Sequence, residues 1–246
     1  MNICYTPKKS PDIDPNTFNN FFIQSISDIK KNIESKNLKT YDYSYMKQIN
    51  PDNVLFTWNI VTAQDIIKAS KNLKESNCLD TYGFSNTMLK ALAANLSAPL
   101  AACINKLLKE GVFPSVLKIS RVCPVYKRGQ KDQAQSYRPI SIIPVLSKLI
   151  ESIVYEQISD FLEKNNLFNC SQFGFRKNKS TIHALDSLIR QIYQSFEDKA
   201  YAQATFCDLS KAFDCVCYQE LITKLHYYGF FGSSIMFLKS YLQNRR

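Results

Sequence analysis

The chain has 246 residues, of which 45% are hydrophobic and 13% aromatic, enough to bury a sizeable core and to exclude wholesale disorder. Lys and Arg outnumber Asp and Glu by 31 to 21, and the resulting charge of +10 favours a polyanionic partner. Eight scattered cysteines and two histidines argue against a structural zinc site and predict free thiols in an intracellular protein. The sequence predicts neither a membrane span nor a signal peptide.

The first segment is rich in Asn, Asp, Lys and Tyr, and we interpret residues 1–60 as a linker. Apolar residues spaced as on a helix predict one small amphipathic helix within it, starting near Pro15. A firmer helix begins at Thr62, which can form a capping box with Asp65.

Two helices are then predicted on either side of a proline. One covers residues 85–96, and Pro99 restarts a helix that ends near Gly111. Residues 119–126 are β-like, but Pro124 limits them to an edge strand or an interrupted one.

The rest of the chain is predicted to be mainly helical. An amphipathic helix covers residues 144–164, and Ser180 caps another that carries a long apolar stripe. A helix over residues 221–228 stops at Gly229, and a last helix covers residues 233–243.

A basic segment lies between the β-like residues and the amphipathic helix. Residues 118–148 contain seven Lys or Arg residues and one Asp. Their net charge of +6 is more than half of the +10 carried by the whole chain. An excess of one sign indicates a phosphate partner, either a nucleic-acid backbone or a triphosphate. The alternative is a basic loop that serves only solubility.

Aromatic residues alternate with cations in a second basic segment, residues 172–180. Such a pattern can stack bases while the cations contact phosphates. We interpret Phe173 and Phe175 as core anchors beside a turn, and Arg176 as a nucleic-acid contact.

The strongest chemical signal is the stretch Phe-Cys-Asp-Leu-Ser-Lys-Ala-Phe-Asp at residues 206–214. Residues 201–207 predict a buried strand that ends at Asp208. A carboxylate in that position is well placed to hold a divalent cation, and Phe213 could cover the same pocket. The alternative is an Asp that caps the next helix or turn.

Taken in order, these segments resemble the reverse transcriptase of non-LTR retrotransposons, the jockey and long-interspersed-element group. The resemblance covers the chain from about residue 60 onward and rests on motif order and spacing. Its motifs are Leu-Leu-Lys-Glu-Gly-Val-Phe-Pro at 107–114, Val-Cys-Pro-Val-Tyr-Lys-Arg-Gly at 122–129, Ser-Tyr-Arg-Pro-Ile-Ser at 136–141, Gln-Phe-Gly-Phe-Arg at 172–176, Asp-Leu-Ser-Lys-Ala-Phe-Asp at 208–214 and Ser-Tyr-Leu-Gln-Asn-Arg at 240–245.

The resemblance implies an α+β fold of the right-hand polymerase type. Residues 1–60 would be a linker preceding the reverse transcriptase, residues 61–199 helix-rich fingers, and residues 200–246 a partial palm with the thumb absent. The reaction implied is RNA-templated DNA synthesis from dNTPs on a DNA primer. The other expected partner is the remainder of a retrotransposon polyprotein, with no membrane involved.

The resemblance also implies roles for individual residues. Asp208 would be the first catalytic carboxylate and, with the Leu209 carbonyl, a ligand of Mg²⁺, of which the intact family enzyme uses two ions. Lys127, Arg138 and Phe213 would bind the dNTP, with the Phe213 ring rejecting a ribose 2′-hydroxyl. Asp214 would cap the following helix. The expected nucleic-acid contacts are Arg128, Lys131, Arg176, Lys177 and Lys179.

Two departures from the family pattern qualify these expectations. The usual Gly-Asp dipeptide of the fingers is replaced by Leu79-Asp80, which puts template contacts there in doubt. No Asp-Asp pair occurs in the 246 residues, so two of the three metal-binding carboxylates are missing and Mg²⁺ binding should be weak or absent.

We therefore expect an inactive and aggregation-prone fragment, in which the palm strand lacks its sheet partners. Two alternatives are a non-catalytic nucleic-acid-binding remnant that uses the basic fingers, and a helical relic without a function.

Overall fold

The computed structural model describes residues 13–35, 50, 52–209 and 211–245, which form seven helices, one β-hairpin and two short 3₁₀ turns. The elements are α1 (Pro15–Ser35), α2 (Ala63–Asn72), α3 (Asn86–Glu110), the turn Ser115–Lys118, β1 (Arg121–Tyr126), the turn Ala134–Ser136, β2 (Tyr137–Ile142), α4 (Val145–Lys164), α5 (Thr181–Glu197), α6 (Tyr218–Tyr227) and α7 (Gly232–Leu242).

The hydrophobic core lies between α2, α3, α4 and α7. Ile66 of α2, Leu108 of α3, Leu149 of α4 and Phe237 of α7 are almost fully buried and belong to one cluster. Burial of these side chains is the main favourable term for a fold of this kind, at about 2 kcal/mol for each large apolar residue.

A loop that precedes α2 is part of this core. The Phe56 ring stacks on Phe230 with centroids 4.6 Å apart and meets Trp58 edge-on at 4.7 Å. Phe56 N–H donates to the Gly229 carbonyl at 2.9 Å. Gly229 has a φ of 90°, and a Cβ there would lie 2.1 Å from the Val54 carbonyl oxygen, so the close approach requires glycine. Part of the predicted linker, residues 1–12, 36–49 and 51, lies outside the described residues.

The capping box that begins α2 is confirmed. Thr62 Oγ1 accepts from the Asp65 N–H at 3.2 Å, and the Asp65 carboxylate accepts from the Thr62 N–H at 2.8 Å. The predicted break before Pro99 is wrong, because α3 continues through it as one helix. A proline removes only one backbone donor, and the buried side chains Ala93 and Ala101 hold the turns on both sides of it.

α3 also has the length and composition of a helix that could cross a membrane, and it alone does so among the described helices. Its residues Leu89, Ile104 and Leu108 belong to the core cluster, and its flanks pack on α2, α4 and α7. Leu92 and Leu96 of the same helix are exposed, so packing in the core accounts for only part of its apolar composition.

The two strands form an antiparallel hairpin with Pro124 opposite Pro139. The β-like character of β1 is confirmed, and a hairpin of two edge strands tolerates both prolines. β2 was not predicted, because its basic and polar sequence shows no clean alternation of apolar and polar residues.

The later helices lie where the sequence predicts them, with one difference in how they pack. α5 begins directly after Ser180, but the Ser180 hydroxyl contacts His183 Nδ1 at 2.9 Å instead of a backbone N–H. No residue of α5 is buried, and Ile182 and Phe196 of its apolar stripe are exposed. The described residues therefore leave this stripe uncovered.

Candidate active site

The basic loop connects β1 to β2 and is held by its own backbone and by two tyrosines. Lys127 N–H donates to the Ser136 carbonyl at 2.8 Å, which extends the hairpin ladder by one step. The Tyr126 hydroxyl donates to the Gly129 carbonyl and the Tyr137 hydroxyl to the Lys131 carbonyl, both at 2.7 Å. The loop that carries the predicted phosphate contacts is therefore ordered by side chains at both of its ends.

The hairpin register separates the cations from the tyrosines. Arg138 lies opposite Val125, and Lys127 follows Val125 by two residues, so Lys127 and Arg138 share one face of the hairpin. Tyr126 and Tyr137 lie opposite each other on the other face, with ring centroids 5.6 Å apart. The two residues predicted to bind a triphosphate are thus on the same side.

The cations of this loop have no acidic partners within the described ranges. Lys127, Arg128, Lys131 and Arg138 are exposed, and none of the ion pairs between described residues involves them. The nearest aromatic contact is that of Lys131, whose Nζ lies 6.0 Å from the centre of the Tyr126 ring. Such an uncompensated cluster is suited to bind phosphate.

The segment before Asp208 differs from the prediction. Residues 201–209 form no strand, and Phe206 and Leu209 are 84% and 75% exposed. The reason is that a strand needs partners for its backbone groups, and the strands of the described residues are both used in the β1–β2 hairpin. The prediction of a buried strand is therefore wrong.

Asp208 does not form a metal site with the other described residues. Its side chain is exposed, and no group of three or more His, Cys, Asp or Glu side chains in the described ranges could hold a metal ion. One carboxylate and the Leu209 carbonyl do not satisfy Mg²⁺, which requires near-octahedral oxygen ligands and gives up water reluctantly. The ligand set present here therefore does not fit the ion on its own.

Phe213 and Asp214 lie in the turn at residues 211–215. The Phe213 ring is 78% exposed and meets the equally exposed Phe175 ring edge-on, with centroids 5.9 Å apart. The expected core role of Phe175 is therefore wrong. Asp214 does not cap α6, because that helix begins at Tyr218 and has Cys217 in the capping position.

Arg176 is held by an acidic partner in the last turn of α4 and by carbonyls of its own loop. Its Nε and Nη2 donate to the two carboxylate oxygens of Glu163 at 2.9 and 2.7 Å, and Nη1 donates to the carbonyls of Asn169 and Gln172. Four of the five guanidinium N–H groups are thus engaged, which favours a structural role for Arg176. The nearby Lys177 pairs with Asp160 at 3.0 Å, and Lys179 Nζ lies 5.8 Å from the Phe173 ring centre.

The ion pair between Arg176 and Glu163 predicts that the stability of this loop depends on pH. The hydrogen bonds from Arg176 lower the pKa of Glu163 below its ordinary value of 4.5, so the pair stabilises the loop fully above that value. The stabilisation is lost as the pH falls through the lowered pKa of the folded state. We expect Glu163→Gln to accelerate amide hydrogen exchange in residues 169–179 at pH 7, and the wild-type loop to open only in acid. Glu197→Gln, at the exposed end of α5, is the control, and equal exchange in both variants would contradict the prediction.

Asp80 has a structural role that the sequence did not reveal. It is 6% exposed, and its Oδ1 accepts the N–H groups of Tyr82 and Phe84 at 2.8 and 2.9 Å. Its Oδ2 accepts the N–H of Val145, the first residue of α4, at 2.8 Å. Because Pro144 in the capping position offers no side-chain acceptor, Asp80 caps α4 from a distant loop. An Asp two residues before Tyr82 suggests a local turn, but nothing in the sequence indicates the contact with Val145.

The Ser-Tyr-Leu-Gln-Asn-Arg motif closes the C-terminal end of α7. Lys118 is buried and its Nζ donates to the Ser240 carbonyl at 2.5 Å, while burial lowers the pKa of the Lys118 ammonium. Arg245 stacks on the Tyr241 ring at 4.2 Å and donates to Glu151 of α4 at 2.9 Å. These contacts join the end of α7 to α4 and to the loop before β1.

Comparison with known proteins identifies the family to which these elements belong. The family described as "Reverse transcriptase (RNA-dependent DNA polymerase)" matches residues 126–246, which include the basic loop, Arg176 and Asp208.

Individual relatives support the same assignment. The "Probable RNA-directed DNA polymerase from transposon BS" of Drosophila melanogaster is 34% identical over 195 residues, 76% of this chain and 20% of the relative. The corresponding protein of the transposon X-element from the same organism is 30% identical over 168 residues, 65% of this chain and 18% of the relative. The "RNA-directed DNA polymerase from mobile element jockey" of Drosophila funebris is 27% identical over 165 residues, 67% of this chain and 18% of the relative.

The chain thus spans about a fifth of the length of these relatives. The motif order, the mixed helix and strand architecture and these matches agree. This chain belongs to the reverse transcriptase family of non-LTR retrotransposons and carries part of the reverse transcriptase domain.

Proposed function

We propose that this chain supplies the fingers and the first part of the palm of a right-hand polymerase that copies RNA into DNA. Its substrates would be dNTPs, and its partners an RNA template, a DNA primer and the remainder of a retrotransposon polyprotein. The observation that carries the proposal is the exposed set of cations on the β1–β2 loop without acidic partners in the described ranges. The relatives named above are RNA-directed DNA polymerases by name.

The register of the hairpin supports separate roles for its cations. Lys127 and Arg138, on one face, would contact the triphosphate of the dNTP, for which a guanidinium and an ammonium are suited. Arg128 and Lys131, on the loop, would contact the nucleic-acid backbone. Phe213 would lie against the sugar, where a ring that cannot hydrogen-bond a 2′-hydroxyl favours dNTPs.

The remaining predicted contacts lie around the loop that follows α4. Lys177 and Lys179 are exposed and would extend the nucleic-acid surface. Arg176 would act mainly by holding this loop in place, since Glu163 and two carbonyls occupy most of its donors.

We further propose that a polypeptide of these 246 residues does not catalyse DNA synthesis by itself. Asp208 would be the first of the catalytic carboxylates, but one carboxylate cannot confine the ions on which the family reaction depends. The second candidate function is accordingly that of a non-catalytic nucleic-acid-binding remnant. Two observations favour it. The cations of the β1–β2 loop are exposed, and the exposed Asp208 belongs to no group of three or more metal-binding side chains in the described ranges.

A primer-extension assay with the purified chain, an RNA template, a DNA primer, dNTPs and Mg²⁺ tests the proposal. We expect product no higher than that of Asp208→Ala, together with RNA binding that weakens steeply as salt is raised. Robust extension that Asp208→Ala abolishes would disprove the inactivity. If the chain fails to bind RNA at every salt concentration, both the polymerase role and the binding role are disproved.

A further inference from the structure

The two faces of the hairpin that carries the basic loop differ in their side chains and contacts. Tyr126 and Tyr137 lie on one face, on which Tyr126 is 41% exposed, whereas Lys127 and Arg138 lie on the other face. Helix α1 contacts the tyrosine face at the Tyr137 ring and packs against the 3₁₀ turn Ala134–Ser136 at the end of the loop.

Phe18 of α1 makes the central contact. It is 5% exposed, and its ring meets the Tyr137 ring edge-on with centroids 5.0 Å apart. Phe22, one helical turn later, stacks on Phe18 at 5.9 Å, and Tyr126 meets Tyr137 at 5.6 Å. Phe18 lies outside the main core cluster, and these contacts connect it to the rings of Phe22, Tyr137 and Tyr126.

Tyr137, which Phe18 contacts, and Tyr126, which contacts Tyr137, are the residues that order the basic loop. Through their hydroxyls, Tyr137 holds the Lys131 carbonyl and Tyr126 holds the Gly129 carbonyl. A shift of either ring would therefore release the loop backbone between the predicted phosphate contacts.

α1 also contacts the segment that follows Asp208. The Lys211 ammonium donates to the hydroxyl of Ser25, two turns after Phe18 on the same helix. One helix thus contacts both the basic loop and the turn that follows the candidate catalytic carboxylate.

We propose that α1 is a brace for the candidate active site, and that Phe18 and Tyr137 are positioning residues that keep the Lys127–Lys131 loop ordered. The helix contacts the tyrosine face of the hairpin at Tyr137, on the side opposite Lys127 and Arg138. The consequence for nucleotide and RNA binding rests on the proposed function, whereas the ordering of the loop does not.

Limited trypsin digestion of the full chain tests the brace directly, because Lys127, Arg128 and Lys131 are exposed cleavage sites within the loop. Phe18→Ala should accelerate cleavage there by about tenfold or more, since the loop then opens locally. Ile23→Ala, an exposed position on α1, should leave the rate unchanged. Cleavage after Lys109 of α3, measured in the same digest, reports on global unfolding.

Equal loop cleavage in Phe18→Ala and wild type would overturn the brace. If Phe18→Ala lowers the melting temperature of the whole chain, Tyr137→Phe decides instead. It keeps the ring but loses the bond to the Lys131 carbonyl, and it should accelerate cleavage after Lys131 alone. An unchanged rate at that site would overturn the role of Tyr137 as a positioning residue.

Binding of RNA and dATP by the same variants separates the two proposals. We expect Phe18→Ala to weaken binding by about tenfold, in step with the cleavage rate. If the wild-type chain binds neither ligand, the proposed function is wrong. If Phe18→Ala is nevertheless cleaved faster than wild type, the brace is supported.

Discussion

Replacing Asp80 by Ala is expected to lower the free energy of unfolding by about 3 kcal/mol or more, enough to unfold a marginal domain. The carboxylate accepts three backbone N–H groups, of Tyr82, Phe84 and Val145, in a position that is almost closed to water. Alanine would leave these donors without partners, and each unsatisfied buried donor costs about 1–3 kcal/mol. Urea denaturation followed by circular dichroism measures the loss.

Two further variants identify the cause of that loss. Asp80→Asn keeps the size of the side chain but has one acceptor oxygen, so it should fall between wild type and Asp80→Ala. Asp132→Ala removes an exposed carboxylate from the basic loop and should change stability by about 0.5 kcal/mol at most. An Asp80→Ala variant as stable as Asp132→Ala would show that α4 does not depend on this cap.

Neutralising the basic loop is expected to weaken RNA binding by roughly a hundredfold near physiological salt, because each cation lost removes about one released counterion. The change is Lys127→Gln together with Arg128→Gln and Lys131→Gln. The slope of log affinity against log salt should fall by about three in magnitude. Fluorescence anisotropy with labelled RNA over a range of salt concentrations measures both quantities.

A matched variant loses the same number of positive charges from a different surface of the chain. Lys71→Gln, Lys106→Gln and Lys109→Gln remove three exposed cations from α2 and α3 and should weaken binding far less. Equal losses in the two triple variants would mean that binding follows net charge and that the hairpin has no special role. Melting curves of both variants exclude unfolding as the reason for either loss.

The helices were predictable because their signals are local. The Thr62–Asp65 capping box, the stop at Gly229 and the apolar periodicity of α4 each require only neighbours in the chain. The candidate site was predicted in part by the same means, since the charge of residues 118–148 indicates phosphate without any knowledge of the fold. Asp208 and Phe213 were identified from a motif, and their roles stay predictions.

The features that could not be predicted from the sequence depend on contacts between residues far apart in the chain. Asp80 contacts the N-terminus of α4, 65 residues later in the chain, and no local pattern announces it. The pairing of β2 with β1 decides which cations share a face, and the contact of Phe18 with Tyr137 decides which face α1 touches. Residues 201–207 show the converse, because a strand-like sequence did not become a strand where no partner strand lies beside it.

Motif order, periodicity and charge are properties of the chain, so they indicated the family, most of the helices and the cationic character of the loop. The folded arrangement was needed to show that Lys127 and Arg138 share a face and that Arg176 is held by Glu163. It also showed that the exposed Asp208 belongs to no group of three or more metal-binding side chains in the described ranges. The physical reason is that hydrogen bonds, ion pairs and ring contacts depend on distances in space, which the order of residues along the chain does not specify.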